Sequence, residues 1–202
     1  MIQNMITPRK FYDRVLNEIC DRLMKEISPA YTYHSLRHTL DVVEMTIEIG
    51  KAEKIDDHHL DILKIAALFH DTGYVSTRKN HEEESVNIFL SYANEHRLGQ
   101  EAIGIITGCI LATRIPQNPK NLFEMVVCDA DLDYLGREDF IEIGETLYTE
   151  LTNCGELADR AAWNHLQYNF LSNLRFHTQY SQTRRQPQLE LNLLTVKRLI
   201  SI

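Results

Sequence analysis

A chain of 202 residues with 44% hydrophobic content is long enough for one domain with a substantial core. Its formal net charge of -8 at pH 7 leaves no basic stripe to replace phosphate counterions, which argues against partnership with nucleic acid or an anionic membrane. A phosphate-bearing ligand would therefore have to be met by a local positive site.

The predicted elements are helices throughout. Thr7-Pro8 reads as an N-cap and first helical residue, and Phe11, Val15, Leu16, Ile19, Leu23 and Ile27 follow at helical spacing until Ser28-Pro29 stops the run. Further helices are expected over residues 35–50, 56–70, 81–96, 100–113, 122–135, 138–152, 156–174 and the last dozen, with breaks near Gly or polar residues. Strand-like alternation is scarce. The architecture expected is all-α, a single helical bundle over residues 1–202, with no flexible linker, internal repeat or low-complexity block. Cys20, Cys109, Cys128 and Cys154 show no C-x-x-C spacing and lie mostly in apolar stretches, so they read as reduced core thiols. Neither a leader-like apolar segment in residues 1–10 nor a run of about 18 apolar residues is present, and a cytoplasmic location is expected.

The chemistry concentrates in three places. His70-Asp71 ends the apolar run 62–69, where an imidazole beside a carboxylate is costly to seat unless something such as a divalent metal pairs with both. Upstream, His34 and His38 are four residues apart and would share a face if both were helical. Downstream, Asp129, Asp131 and Asp133 alternate through apolar sequence. They do not form a calcium loop, since Tyr134 stands where Gly is needed and Phe140 where Glu is needed. Met125, Cys128, Leu132 and Leu135 define an apolar stripe that Asp131 borders more closely than Asp133, so Asp131 is the ligand candidate, with Asp129 and Asp133 read as solvated or supporting. Arg37, Arg78, Lys79 and Arg114 are the cations near these motifs in sequence, and Arg37, Arg78 and Arg114 are candidate phosphate contacts because a guanidinium offers parallel donors. His58, His59, His96, His165 and His177 fit no ligand pattern, and Trp163, Phe170 and Leu174 read as core.

The ordered set His38, His70-Asp71 and Asp131 resembles the HD superfamily of metal-dependent phosphohydrolases, named for the doublet. Residues 33–43 are also similar to the Y-H-N-x-x-x-H-x-x-D-V stretch of the cyclic-nucleotide phosphodiesterase branch, with Ser35 for the Asn and one residue fewer before the second His. The likeness continues through residues 81–85 and 130–136, so it covers about 31–137, with helices 138–202 packed on that core. It implies an HD-type bundle in which His38 is a metal ligand and His34 sits nearer the substrate. His81 stands where two-metal members often have a His, whereas Thr113 lies where they usually carry another; His81 is thus a candidate substrate contact.

The expected metal ligands are His38, His70, Asp71 and Asp131, a mixed N/O set that suits Mn, Ni, Co, Fe or Zn better than Mg. Asp71 is expected to orient the attacking water as well, and His34 to protonate the leaving oxygen. The activity expected is hydrolysis of a small phosphoester, a nucleotide in particular, by a metal-activated water. Two alternatives stand beside it. One is a metal-retaining nucleotide sensor without catalysis; the other is an HD-type di-iron oxygenase, which needs more His ligands than the motifs supply.

Overall fold

The computed structural model describes residues 5–200, which form ten α-helices and two short 3-10 turns. The helices are α1 (Pro8–Glu26), α2 (Leu36–Ala52), α3 (Asp57–Phe69), α4 (His81–Glu95), α5 (Gln100–Ala112), α6 (Leu122–Asp131), α7 (Phe140–Asn153), α8 (Arg160–Asn173), α9 (Gln179–Arg184) and α10 (Gln186–Ile200). One isolated bridge, Ile6 to Leu98, is the nearest thing to a strand among the described residues. No helix among them is long and apolar enough to cross a membrane.

Local signals set the helix starts. Thr7 accepts from the Lys10 amide ahead of Pro8, Asp56 from His59, Asn121 from Phe123 and Glu124, and Asp159 from Ala162. Each side-chain oxygen satisfies an amide that has no partner inside its helix. The Asp159 cap also explains why α8 begins at Arg160 and not near residue 156, as its periodicity predicts.

α3 is the central rod. Leu60, Ile62, Leu63, Ile65, Ala66, Ala67, Leu68 and Phe69 are all buried, packed against α1, α2 and α5. This cluster takes in most apolar residues of α1 to α6. A second cluster contains Tyr33, Leu132, Tyr134, Leu135, Phe140, Leu171, Phe176, Leu189 and Val196, so the C-terminal helices bury their apolar faces on the end of α6.

Three expectations need correction here. The helix predicted over 122–135 ends at Asp131, and residues Asp133–Gly136 form a 3-10 turn. α9 was not legible in the sequence, and α10 begins at Gln186, before the last dozen residues. Asp129 and Asp133 are buried and not solvated. Asp129 accepts from the amides of His177 and Thr178 and from the Thr178 hydroxyl, while Asp133 accepts from Arg185 Nε at 2.7 Å. Both carboxylates fasten the C-terminal segment to the motif core.

Candidate metal and substrate site

Three helix ends meet at one point. His38 lies in the first turn of α2, His70 and Asp71 follow the last residue of α3, and Asp131 ends α6. α2 packs against both α3 and α6, so apolar packing carries these polar ends together. His70 continues the helical backbone, whereas Asp71 has φ -109 and ψ 8, outside it. That break swings the two neighbouring side chains toward a shared point. The 3-10 turn Thr72–Val75 then docks on α4 through the Gly73 amide, which donates to the Ser85 hydroxyl at 2.8 Å. Gly73 is needed at this approach because a Cβ there would overlap the backbone carbonyl of His81. The same contact sets His81 beside Asp71.

His70 Nδ1 donates to the Ala67 carbonyl at 2.7 Å, so its Nε2 faces the meeting point. His70 Nε2 lies 3.4 Å from His38 Nε2, 3.2 Å from Asp71 Oδ2 and 3.5 Å from Asp131 Oδ1. His38 Nε2 lies 3.2 Å from Asp131 Oδ1 and 3.5 Å from Asp71 Oδ2. Donor atoms about 2.1 Å from one ion stand about 3.0 Å apart when cis in an octahedron and about 3.4 Å apart in a tetrahedron. The spacing and the N/O chemistry therefore fit one divalent ion, and His38, His70 and Asp71 form the tightest group.

The electrostatics favour positive charge at this point. Burial opposes charge on His70, but Asp71 and Asp131 outweigh it and raise the imidazole well above its ordinary pKa. Burial likewise opposes ionisation of Asp71, yet the charge and hydrogen bonds of His70 and His81 hold it well below the usual carboxylate range. Asp131 is held at about 2 against burial by hydrogen bonds from His38 and His70. A divalent cation would supply positive charge at the point that these carboxylates surround.

Asp71 has a second face. Its Oδ1 lies 3.3 Å from His81 Nε2, while His81 Nδ1 donates to the Arg78 carbonyl at 3.2 Å. Thr113 also reaches this region, but its hydroxyl donates to the Ile110 carbonyl.

His34 sits differently from its sequence expectation. α2 begins at Leu36 with Ser35 as its N-cap, so His34 lies in the preceding loop and does not share a helical face with His38. Glu150 of α7 holds it there: one carboxylate oxygen accepts from the Tyr33 and His34 amides at 2.9 and 3.0 Å. The other is 2.5 Å from His34 Nδ1. The Glu150 side chain is fully buried. Burial opposes its charge, but the hydrogen bonds and charge of His34 keep its pKa below the usual Glu value. On the opposite edge of the ring, the Tyr74 hydroxyl is 3.0 Å from His34 Nε2, and the two rings stack at 4.1 Å. Burial raises the Tyr74 pKa, so this phenol stays protonated and can either donate to Nε2 or accept from it.

These groups open onto a cavity of about 290 Å³. Asp71, Asp131, His34, His81 and Glu82 form its polar end, and Phe140, Leu147, Trp163, Leu166 and Phe170 line its walls. Trp163 is buried and Phe170 packs against the second cluster, as the core expectation has it, and both also bound this space. The three arginines proposed as phosphate contacts do not line it. Arg37 is one residue from His38, about 100° around the helix, and its side chain is 78% exposed near Glu142. Arg78 is held by Glu156 at 3.0 Å and by Glu150 at 3.5 Å, and Arg114 pairs with Glu82 and Glu83.

Sequence reasoning missed Glu150, Tyr74 and Gln167, all of which bear on this cavity. The available signal for Glu150 was its place on the stripe Phe140, Ile143, Leu147 of α7, where a carboxylate is out of character for a buried face. Nothing comparable marks Gln167.

The HD domain family model matches residues 33–133. No curated protein matches the chain. Several solved structures share the fold. A predicted HD superfamily hydrolase from an uncultured Thermotogales bacterium aligns at 19% identity and TM-score 0.61, over 93% of this chain and 92% of that one. A Lactobacillus plantarum protein aligns at 16% identity and TM-score 0.69, over 94% and 96%. Bacillus subtilis YpgQ, in complex with ADP, aligns at 19% identity and TM-score 0.62, over 97% and 96%. The family match covers the segment that carries His38, His70-Asp71 and Asp131, and the chain belongs to the HD domain family of metal-dependent hydrolases.

Proposed function

We propose that the protein is a metal-dependent phosphohydrolase acting on a small phosphoester, a nucleotide in particular. The observation that carries this reading is the convergence of His38, His70, Asp71 and Asp131 at the polar end of a cavity that His34 also lines. A divalent ion held by those four residues would lower the pKa of a water and draw charge from phosphoryl oxygens. Asp71, with Oδ2 toward the ligand group and Oδ1 toward His81, is placed to orient the attacking water.

His34 moves the proton. The buried Glu150 carboxylate fixes Nδ1 and orients the ring, which presents Nε2 to the cavity next to the Tyr74 hydroxyl. The proton on Nε2 passes to the leaving oxygen as its bond to phosphorus breaks. Apolar walls keep bulk water from the reacting end. The ADP bound by YpgQ supports a nucleotide ligand for the fold they share.

The test is elemental analysis of purified protein, followed by a screen of nucleotides and generic phosphoesters with each divalent ion. Turnover that depends on Mn²⁺, Ni²⁺, Co²⁺, Fe²⁺ or Zn²⁺ supports the reading. Tight metal binding with nucleotide affinity and no turnover would instead favour a sensor. An iron-dependent absorbance band with oxygen consumption would favour the oxygenase alternative.

A further inference from the structure

The wall of the cavity opposite the metal ligands belongs to α7 and α8, outside the segment the family model matches, and it carries chemistry that the proposed reaction does not use. Gln167 is 9% exposed and lines the cavity, yet its amide has no hydrogen-bond partner among the described residues. The same holds for the indole N–H of Trp163, which is 3% exposed. A buried amide offers two donors and two acceptor lone pairs, and leaving them without partners is costly unless a ligand or water meets them. Gly144 makes room for the pair: a Cβ there would come within 3.1 Å of Gln167 Nε2 and 3.7 Å of Trp163 Cζ2. Beside them, Phe140 and Phe170 supply flat apolar surface.

Charge narrows the ligand further. The cavity lining includes the carboxylates of Asp71, Glu82 and Asp131, and among the described residues no Lys or Arg lines it. Arg114 pairs with Glu82, itself part of the lining, and with Glu83, while Arg78 pairs with Glu150 and Glu156, so both guanidinium groups are already engaged by carboxylates. One divalent ion offsets part of that negative charge and can serve one phosphoryl group. A second or third phosphoryl group would add negative charge where His34, His81 and Arg114 already face Glu150, Asp71 and Glu82, which selects against polyphosphates by repulsion.

We propose that this cavity selects a phosphomonoester with a single phosphoryl group on a flat, mostly apolar body, and that Gln167 reads a hydrogen-bonding edge of that body. The inference rests on the phosphoester reading of the site. Gln167 and Trp163 meet donor and acceptor atoms on the edge of a planar ring system, while Phe140 and Phe170 bound its faces. The phosphoryl group lies toward His38, His70, Asp71 and Asp131. A nucleoside monophosphate satisfies every part of this description. 1-Naphthyl phosphate satisfies all but the polar edge.

The experiment measures both binding and turnover of AMP, ADP, ATP and 1-naphthyl phosphate by the Mn²⁺-loaded full chain at fixed free Mn²⁺. AMP is expected to bind at least tenfold more tightly than ATP, with ADP between them, and kcat/KM is expected to follow the same order. Gln167→Leu should lower the ratio of kcat/KM for AMP to that for 1-naphthyl phosphate by about tenfold or more, the usual size of one lost hydrogen bond to a buried polar group. ATP binding as tightly as AMP would overturn the charge argument, and failure of AMP to bind would overturn the proposal as a whole. An unchanged ratio in a folded Gln167→Leu protein would overturn the role of Gln167. Discrimination between AMP and ATP in binding without any hydrolysis would leave this inference standing and remove the phosphohydrolase reading instead. If Gln167→Leu does not fold, the Gln167→Glu variant supplies the same ratio.

Discussion

Glu150 and His34 are 116 residues apart in the chain and 2.5 Å apart in the fold. The contact joins α7 to the loop before α2, so the C-terminal helices set the orientation of a group in the motif core. Because the carboxylate also accepts two backbone amides, its place does not depend on the histidine alone.

That arrangement gives a pH signature. The folded-state pKa of Glu150 lies below its ordinary value of 4.5, so its stabilisation is fully present above about pH 4.5 and is lost as pH falls through the lowered native value. Glu150→Gln keeps the shape and removes the charge. Urea unfolding at pH 7 should show a loss of about 1.5–3 kcal/mol, the range for a hydrogen bond to a charged group. The gap between wild type and variant should narrow as pH is lowered below 4.5. A gap that stays constant down to pH 3 would show that the charge on Glu150 contributes nothing.

The role of His34 predicts a dependence on the leaving group. His34→Ala should keep its metal and lose about 10²- to 10⁴-fold in turnover, the range for removing a general acid. p-Nitrophenyl esters should recover preferentially, since their leaving oxygen needs no proton. Equal losses for good and poor leaving groups would make His34 a phosphate contact. Metal loss in His34→Ala with retention in His38→Ala would reverse the assignment of the two histidines.

His70→Ala and Asp71→Ala should each remove most bound metal and nearly all turnover. Helical content should persist, because both residues lie at the end of α3, where truncation removes no helical turn. Elemental analysis after desalting provides the check, and full occupancy in either variant would contradict the ligand role.

Stoichiometry should be one tightly held ion per chain. His81 faces Asp71 Oδ1, but the Thr113 hydroxyl already donates to a backbone carbonyl and is a poor substitute for an imidazole. A second ion should be weak and lost on dialysis. Two ions per chain surviving a chelator wash would mean that Asp71 bridges them.

The parts of the structure legible in the sequence were those written in local pattern. Periodicity and capping residues mark most helices, and the order of His38, His70-Asp71 and Asp131 carries the family resemblance and the fold it implies. What stayed hidden depends on contacts between distant segments. Asp129 and Asp133 look like solvent-facing acids until Thr178 and Arg185 arrive from residues about fifty positions away. Arg37 looks like a site residue because it adjoins His38, yet one step along a helix turns its side chain about 100° toward solvent. Gln167 and Trp163 show the converse: spacing marks Trp163 as core, and only packing of α8 on the second cluster reveals that both face a cavity.

The central claim is that four converging side chains hold the ion on which phosphoester hydrolysis depends. The direct test follows phosphate release from AMP by chelated protein, before and after Mn²⁺ or Ni²⁺ is restored, in wild type and in Asp131→Asn. The account predicts no release from chelated protein, recovery on adding the ion to wild type, and little or no recovery in Asp131→Asn. Release that survives chelation, or full recovery in Asp131→Asn, would contradict it.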